Sequence, residues 1–166
     1  MIPTLRILVN MGSLQRLFPV WLGGLAAMIT WFTPGLLVAL AYGVILQFVV
    51  EYLMHRFLLH REPPVDQPTF NALYRSHIGH HEFPDDPEFF TGDDPWYALR
   101  FGLASMALHT LALWPVLGLA PALLAAATAI FVGSVSAFAF YEYCHTLAHL
   151  NVPKGRFGRH VTQRHM

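Results

Sequence analysis

A single cysteine, Cys144, stands in a chain of 166 residues. It excludes an internal disulfide and any thiolate cluster around a metal within one chain. Charge is almost as scarce: Asp, Glu, Lys and Arg make up 12% of the sequence, about half the ~25% of an ordinary soluble chain. Ten basic and ten acidic side chains are too few to cover the surface of a water-soluble domain this small. The formal net charge is zero and no basic stripe interleaved with aromatics is present, which excludes a nucleic-acid partner. No Gly-x-Gly-x-x-Gly occurs either, so there is no fingerprint for a flavin or dinucleotide.

What is abundant is apolar surface, with AVILMFWYC at 55%. It falls in four long runs. Residues 17–32 are uncharged, and after the breaker Thr33-Pro34-Gly35 a second run covers 36–50 and extends to Met54. A third covers 101–119, and a fourth 121–144, interrupted only by Glu142. At ~1.5 Å rise per residue such runs, with their flanks, cross a ~30 Å hydrocarbon core. Buried helices of a soluble bundle would carry a polar stripe, and these carry almost none. The run at 17–32 follows Arg6 and Arg16 but lacks an Ala-x-Ala site at its end and turns directly into the next run, so it is retained rather than cleaved as a signal. The expectation is an all-α integral membrane protein forming a single domain over 1–166. It has four transmembrane helices in two hairpins, at about 17–32, 36–54, 101–119 and 121–144, and a histidine-rich helical cap from 55–96 and 145–166.

The basic residues orient it. Arg6, Arg16, Arg56, Arg61, Arg75, Arg100, Lys154, Arg156, Arg159 and Arg164 all fall on one side, and the two hairpin turns carry none. By the positive-inside rule that side is the cytoplasm. Nine of the ten histidines lie there too, the exception being His109 midway along the third run. The segment 61–96, with Pro63, Pro64, Pro68, Pro84, Pro87 and Pro95, reads as loop broken by a short helix around 70–81. From Asn151 a turn and then a helix are expected.

The histidines are clustered as His55 and His60, then His77, His80 and His81, then His145 and His149, with His160 and His165 last. Residues four apart on an α-helix lie about 40° from each other, so His77 and His81, and His145 and His149, point at one centre, and His80 lies near that face. His55 and His60, five apart, stand about 140° from each other and meet only if the helix bends or ends between them. A lone interfacial histidine is a snorkelling or hydrogen-bonded side chain; the set is what a nitrogen-rich site for Fe, Zn, Cu or Ni requires. Eight or more nitrogens exceed one ion's coordination, which implies two metals. Glu51 precedes His55 by four residues and Glu142 precedes His145 by three, placing each carboxylate where it can accept the outer N–H of its imidazole. A carboxylate-bridged bundle would need a second Glu-x-x-His, which this chain lacks. His109, alone, is expected to make a structural hydrogen bond to a neighbouring helix.

The three segments 51–60, 77–86 and 141–149 resemble the first three histidine boxes, H-x4-H, H-x2-H-H and H-x3-H, of the membrane fatty acid hydroxylase superfamily, which includes sterol oxidases and is related to carotenoid hydroxylases. The resemblance covers about residues 45–166 and is nearest to fatty acid 2-hydroxylases, where the second box is followed by an aromatic, Pro and Asp, here Phe83-Pro84-Asp85. It implies transmembrane hairpins carrying a cytosolic cap around a histidine-bound di-iron centre. The metal ligands would be His55, His60, His77, His80, His81, His145, His149 and His165, with Glu51 and Glu142 behind them and no catalytic residue beyond the ligands. The implied cofactors are two iron ions, which zinc can replace in purified protein, with O2 as co-substrate. The implied reaction is hydroxylation of an unactivated C–H bond in a lipid, foremost a fatty acyl chain, with sterol or carotenoid hydroxylation or desaturation as the alternative. Electrons would come from a separate carrier, cytochrome b5-like or ferredoxin-type. The implied location is a multi-pass membrane protein with its site on the cytoplasmic face, in a bacterial inner membrane rather than the endoplasmic reticulum.

A membrane cytochrome would hold haem between histidines inside spans, where only His109 lies, and a metal transporter would string its ligands along a pore instead of collecting them at one interface. Two departures from the family pattern stand out. Leu150 replaces a histidine that often follows the third box, and the fourth box, H-x2-H-H, is present only as His165-Met166. The chain is therefore expected to be truncated within that box, since His160, five residues before His165, cannot replace two adjacent histidines. Phe89, Phe90, Trp96 and Tyr97 are candidates for a lipid entrance or for interfacial anchoring.

Overall fold

A computed structural model describes residues 2–62, 64–91, 95–118 and 121–165, and every regular element among them is helical. The chain divides into two compact units, one from residues 12–50 and 94–139 and the other from 1–11, 51–93 and 140–166.

The first unit holds the apolar helices. Helix α1, Ile2–Asn10, belongs to the other unit; here α2 runs over Gly12–Thr30, and α3, Pro34–Leu53, contributes its residues up to 50. The expected turn at Thr33-Pro34-Gly35 separates them, because the residue before a proline is pushed out of the helical region and proline itself suits a first turn. Pro95 likewise opens the helix that carries the third run, which spans Pro95–Leu117, and Pro121 opens the fourth, Pro121–His149. The third run therefore starts six residues before its expected position. Leu17, Met28, Leu36, Ala125, Ala129, Phe131, Val132 and Val135 form the buried core, and the Trp21 indole N–H donates to the Ser136 hydroxyl at 3.0 Å. Two glycines set the approach of α3 to the fourth-run helix. A Cβ on Gly43 would collide with the Ile130 carbonyl, and one on Gly133 with the Leu40 carbonyl, while the Ser134 hydroxyl donates to the Gly43 carbonyl at 3.0 Å.

Large apolar side chains cover the outside of this unit: Val38 is 72% exposed, Ile29 69%, Leu108 65% and Val116 80%. Water does not tolerate such a surface on a monomeric domain; lipid does. Among the described residues, the helical stretches Pro34–Leu59 and Pro121–His149, with mean hydropathies of 2.0 and 2.1, are long and apolar enough to cross a membrane. Helices α2 and Pro95–Leu117 are 19 and 23 residues long but carry Arg16 and Arg100 respectively, which lowers their apolar character. His109 donates from Nδ1 to the Ser105 carbonyl of its own helix at 2.7 Å, and its ring meets Tyr42 edge-on at 5.7 Å. The expected hydrogen bond to a neighbouring helix is thus replaced by one within the helix, since the carbonyl four residues back is the nearest acceptor to a mid-helix imidazole.

The second unit is polar and histidine-rich. Continuing the chain-order numbering, α4 is Gln67–Leu73, α5 Gly79–Glu82, α6 Pro87–Phe90, α7 Pro95–Leu117, α8 Pro121–His149 and α9 Arg156–His165. Asp66 caps α4 by accepting the Thr69 N–H at 2.9 Å, and Asp86 caps α6 by accepting the Glu88 N–H at 2.9 Å. Two stretches wind as π-helix, Met54–Leu59 after α3 and Tyr74–Ile78 between α4 and α5. The short helix expected at 70–81 is therefore Gln67–Glu82, helical throughout but wider in its middle. Tyr74 donates its hydroxyl to Glu82 at 2.6 Å, tying the start of that wider part to the end of α5. The helix expected after Asn151 is α9.

Candidate metal centre

The π-helical turn solves the geometry of the first histidine pair. In π winding the hydrogen-bonded partner is five residues away, and the His60 N–H donates to the His55 carbonyl at 3.2 Å. The same winding brings the two rings onto one face, with Nε2 atoms 3.0 Å apart. The helix ends at His60, but it is the widening before that end, and not a bend, that pairs the rings. The second π turn carries His77, whose Nε2 lies 3.0 Å from that of His60 and 3.1 Å from that of His81.

The remaining histidines converge from three helices. His80 lies on α5, His145 and His149 lie one turn apart at the end of α8, and His165 ends α9 with its Nε2 2.9 Å from that of His149. Three groups result, each with its ligand atoms within 4.8 Å of one another: His55, His60 and His77; His77, His80 and His81; and His80, His145, His149 and His165. All eight histidines expected to bind metal are in this assembly. His160 is exposed, and neither it nor His109 belongs to any of the three groups.

Hydrogen bonding among the rings does not account for this packing. A ring nitrogen has one proton or one lone pair, yet His60 Nε2 faces both His55 and His77. His80 is 3% exposed with both nitrogens unpartnered, and His145 Nε2 is buried and unpartnered as well. A buried polar atom left unsatisfied is costly, and a cation supplies the missing partner for the lone-pair nitrogen of each of these rings. Nitrogens ~2.0–2.1 Å from one ion stand about 3 Å apart as neighbouring ligands, the spacing found here. The residues therefore fit two metal ions.

The protonation states agree. Burial, reinforced by the other histidines, pushes His77 down to about 3, His80 to about 2 and His165 to about 3. These rings are neutral at physiological pH and keep the lone pair a metal needs.

Supporting groups fix the rings. His149 donates from Nδ1 to the Pro84 carbonyl at 2.7 Å, which leaves its Nε2 lone pair facing the group. The Phe90 ring lies flat against His149, 5.3 Å between centroids and 8° between planes, and is 2% exposed. Phe90 is thus an inner wall of the centre instead of part of a lipid entrance. Phe89 packs edge-on against Tyr74 and stacks on Phe83, Trp96 sits under the Arg16 guanidinium at 4.4 Å, and the Tyr97 side chain is outside the described residues. The carboxylate of Glu142 is 3.9 Å from His145 Nδ1, close enough to attract a ring proton but too far for a hydrogen bond. Glu51 is half-buried near the end of α3. Sequence reasoning missed the Pro84 carbonyl, which no residue type announces, and Lys154, whose ammonium donates to the Ala148 carbonyl and the Thr162 hydroxyl, each at 2.8 Å.

Comparison with known proteins bears on the same residues. Over 133 residues the chain is 29% identical to the dihydroceramide fatty acyl 2-hydroxylase FAH2 of Arabidopsis thaliana, an alignment covering 80% of this chain and 52% of that protein. The chain thus spans about half the length of the curated relative it matches. No solved structure gives a significant match. The profile of the fatty acid hydroxylase family matches residues 40–166, a range that includes all three histidine groups. The chain belongs to the fatty acid hydroxylase family.

Proposed function

We propose that this protein is a membrane-bound hydroxylase that uses O2 to convert an unactivated C–H bond of a lipid to an alcohol, with a fatty acyl chain as the substrate. The observation that carries this reading is the convergence of eight imidazoles with buried, unpartnered nitrogens at His80 and His145. Within it, His55, His60, His77 and His81 would hold one iron, and His80, His145, His149 and His165 would hold the other. The iron pair, when bound, supplies the activation of O2 that no side chain of this chain can provide.

The chain's own residues do the rest. His149 is held in one tautomer by the Pro84 carbonyl and in one plane by Phe90, so its Nε2 stays directed inward. Glu142 and Glu51 orient His145 and His55 through their outer nitrogens. Four spanning helices in two hairpins place the cap on the cytoplasmic side, and the apolar exterior of the helices admits a lipid tail from the bilayer. One oxygen atom enters the substrate and the other leaves as water, which consumes electrons delivered by a separate carrier of cytochrome b5 or ferredoxin type. The name of the plant relative, a dihydroceramide fatty acyl 2-hydroxylase, favours an acyl chain as substrate and hydroxylation over desaturation.

Mass spectrometry of total lipids from cells expressing the protein, beside cells expressing His80→Ala, tests this. Hydroxylated acyl chains that appear with the wild type and vanish with the variant are expected. Identical lipid profiles in the two cultures would refute it.

A further inference from the structure

We propose that Lys154 is a positioning residue that seats α9 against the end of α8 and so brings His165 into the His80, His145, His149 group. The proposal rests on the metal-binding reading of that group. Ala148 lies in the last turn of α8, where carbonyls have no partner within the helix. Lys154 Nζ donates to that carbonyl at 2.8 Å and to the Thr162 hydroxyl of α9 at 2.8 Å, and Thr162 donates onward to the Gly158 carbonyl at 3.0 Å. The connection is reinforced from the other side, because the Arg159 guanidinium donates to the Lys154 carbonyl at 2.7 Å. Gly158 is buried at the contact, and a Cβ there would stand 3.1 Å from Lys154 Cβ and 3.3 Å from Leu147 Cδ2, so α9 lies directly on these two side chains.

Position along the two helices links this clamp to the metal centre. His149 follows Ala148, and His165 follows Thr162 by three residues, about one helical turn on the same face. The two atoms held by the ammonium thus belong to the neighbours of the two rings that meet at 2.9 Å. A methionine of similar length at 154 would remove the donor to the Thr162 hydroxyl and leave the Ala148 carbonyl only the longer contact from that hydroxyl at 3.5 Å. Arginine would keep the charge and the donors.

The test is Co2+ titration of the full chain in detergent, following the visible absorption bands of the bound ion. Wild type is expected to take up two ions. Lys154→Met should weaken one of them at least ~10-fold, the order seen when partners of ligating residues are lost, and leave the other unchanged. It should give the same spectrum as His165→Ala, and Lys154→Arg should restore wild-type behaviour. In the His165→Ala background, Lys154→Met should cause no further loss, because a residue acting through His165 has nothing left to act on. Additive losses in the double variant, or two ions bound by Lys154→Met as tightly as by wild type, would overturn the proposal alone. A wild-type chain that takes up no Co2+ would overturn the metal reading and this role together. Should Lys154→Met lose helicity as a whole, Thr162→Val removes only the hydroxyl under the ammonium and must show the same loss, confined to the ion held by His165.

Discussion

His55 and His60 are joined twice, by a backbone hydrogen bond of 3.2 Å and by ring nitrogens 3.0 Å apart. Both links follow from one local change in helical winding. On an α-helix the second ring would point well away from the first; in the wider turn it completes the pair that His77 and His81 meet from the other side. A spacing of five can therefore serve as a ligand spacing in this chain, and it singles out the first group for a direct test. His60→Ala should weaken one of two bound metal ions by more than ~10-fold and spare the other, whereas His109→Ala should change neither. Metal stoichiometry by atomic absorption separates these outcomes, and equal losses in the two variants would contradict the assignment.

Glu142 should matter less than the ring it faces. At 3.9 Å from His145 Nδ1 its carboxylate would tune the imidazole without touching the ion. Glu142→Gln is expected to lower metal affinity ~10–100-fold, and His145→Gln to remove one ion. Equal and total loss in both would make Glu142 a direct ligand.

Acid should destabilise the metal-free protein. His77, His80 and His165 remain neutral when folded down to about 3, 2 and 3, whereas unfolded imidazoles protonate near 6.5. Between those limits the unfolded chain binds more protons, so stability is full above about pH 6.5 and falls as the pH drops through that window. Thermal unfolding of chelator-treated protein in detergent should give a lower Tm at pH 5 than at pH 7.5. A Tm that rises or stays level on acidification would show that the rings are not held neutral.

The α3–α8 crossing gives a stability prediction with a built-in control. Gly43→Ala and Gly133→Ala each push a methyl group into a backbone carbonyl and should sharply lower the yield of folded protein. Gly23, in α2, has nothing within 4 Å of a new Cβ, so Gly23→Ala should be neutral or stabilise by ~0.5–1 kcal/mol. Thermal melts of the three variants in one detergent decide the matter.

Orientation is tested at the turns. In a Cys144→Ser background, single cysteines at Thr33 and Leu117 should react with a membrane-impermeant reagent added to intact cells, because both lie at the expected hairpin turns, which carry no Lys or Arg. Protection of both would reverse or abolish the four-span arrangement.

The sequence made the H-x3-H and H-x2-H-H spacings legible because they follow ordinary helical geometry, and His165 was reached through the family pattern. The pairing of His55 with His60 was not legible, since a π turn has no residue signature and reads as an α-helix with misplaced rings. Phe90 looked like an interfacial aromatic because its partner, His149, lies far along the chain. Pro84 acts through a carbonyl that every residue possesses. Lys154 looked like one more cation obeying the positive-inside rule, and only the arrangement of α8 and α9 shows what its donors hold. Helix α1 was missed altogether, being a short segment in which Thr4 and Leu8, with Met11 just after it, are buried.

The histidines are also divided in time. His55, His60, His77 and His81 all precede α7, so these four residues are complete on the ribosome before either of the last two long helices has been made. His80, next to His81 in the chain, must wait for partners that arrive only with the end of α8 and with α9. Its group closes a loop spanning half the chain, and a cross-link over that distance removes more freedom from an unfolded chain than one between near neighbours, by about 0.6 kcal/mol per doubling of the loop. One ion would thus fasten a segment already shaped by its own helices, while the other would act as the final knot between distant parts of the chain.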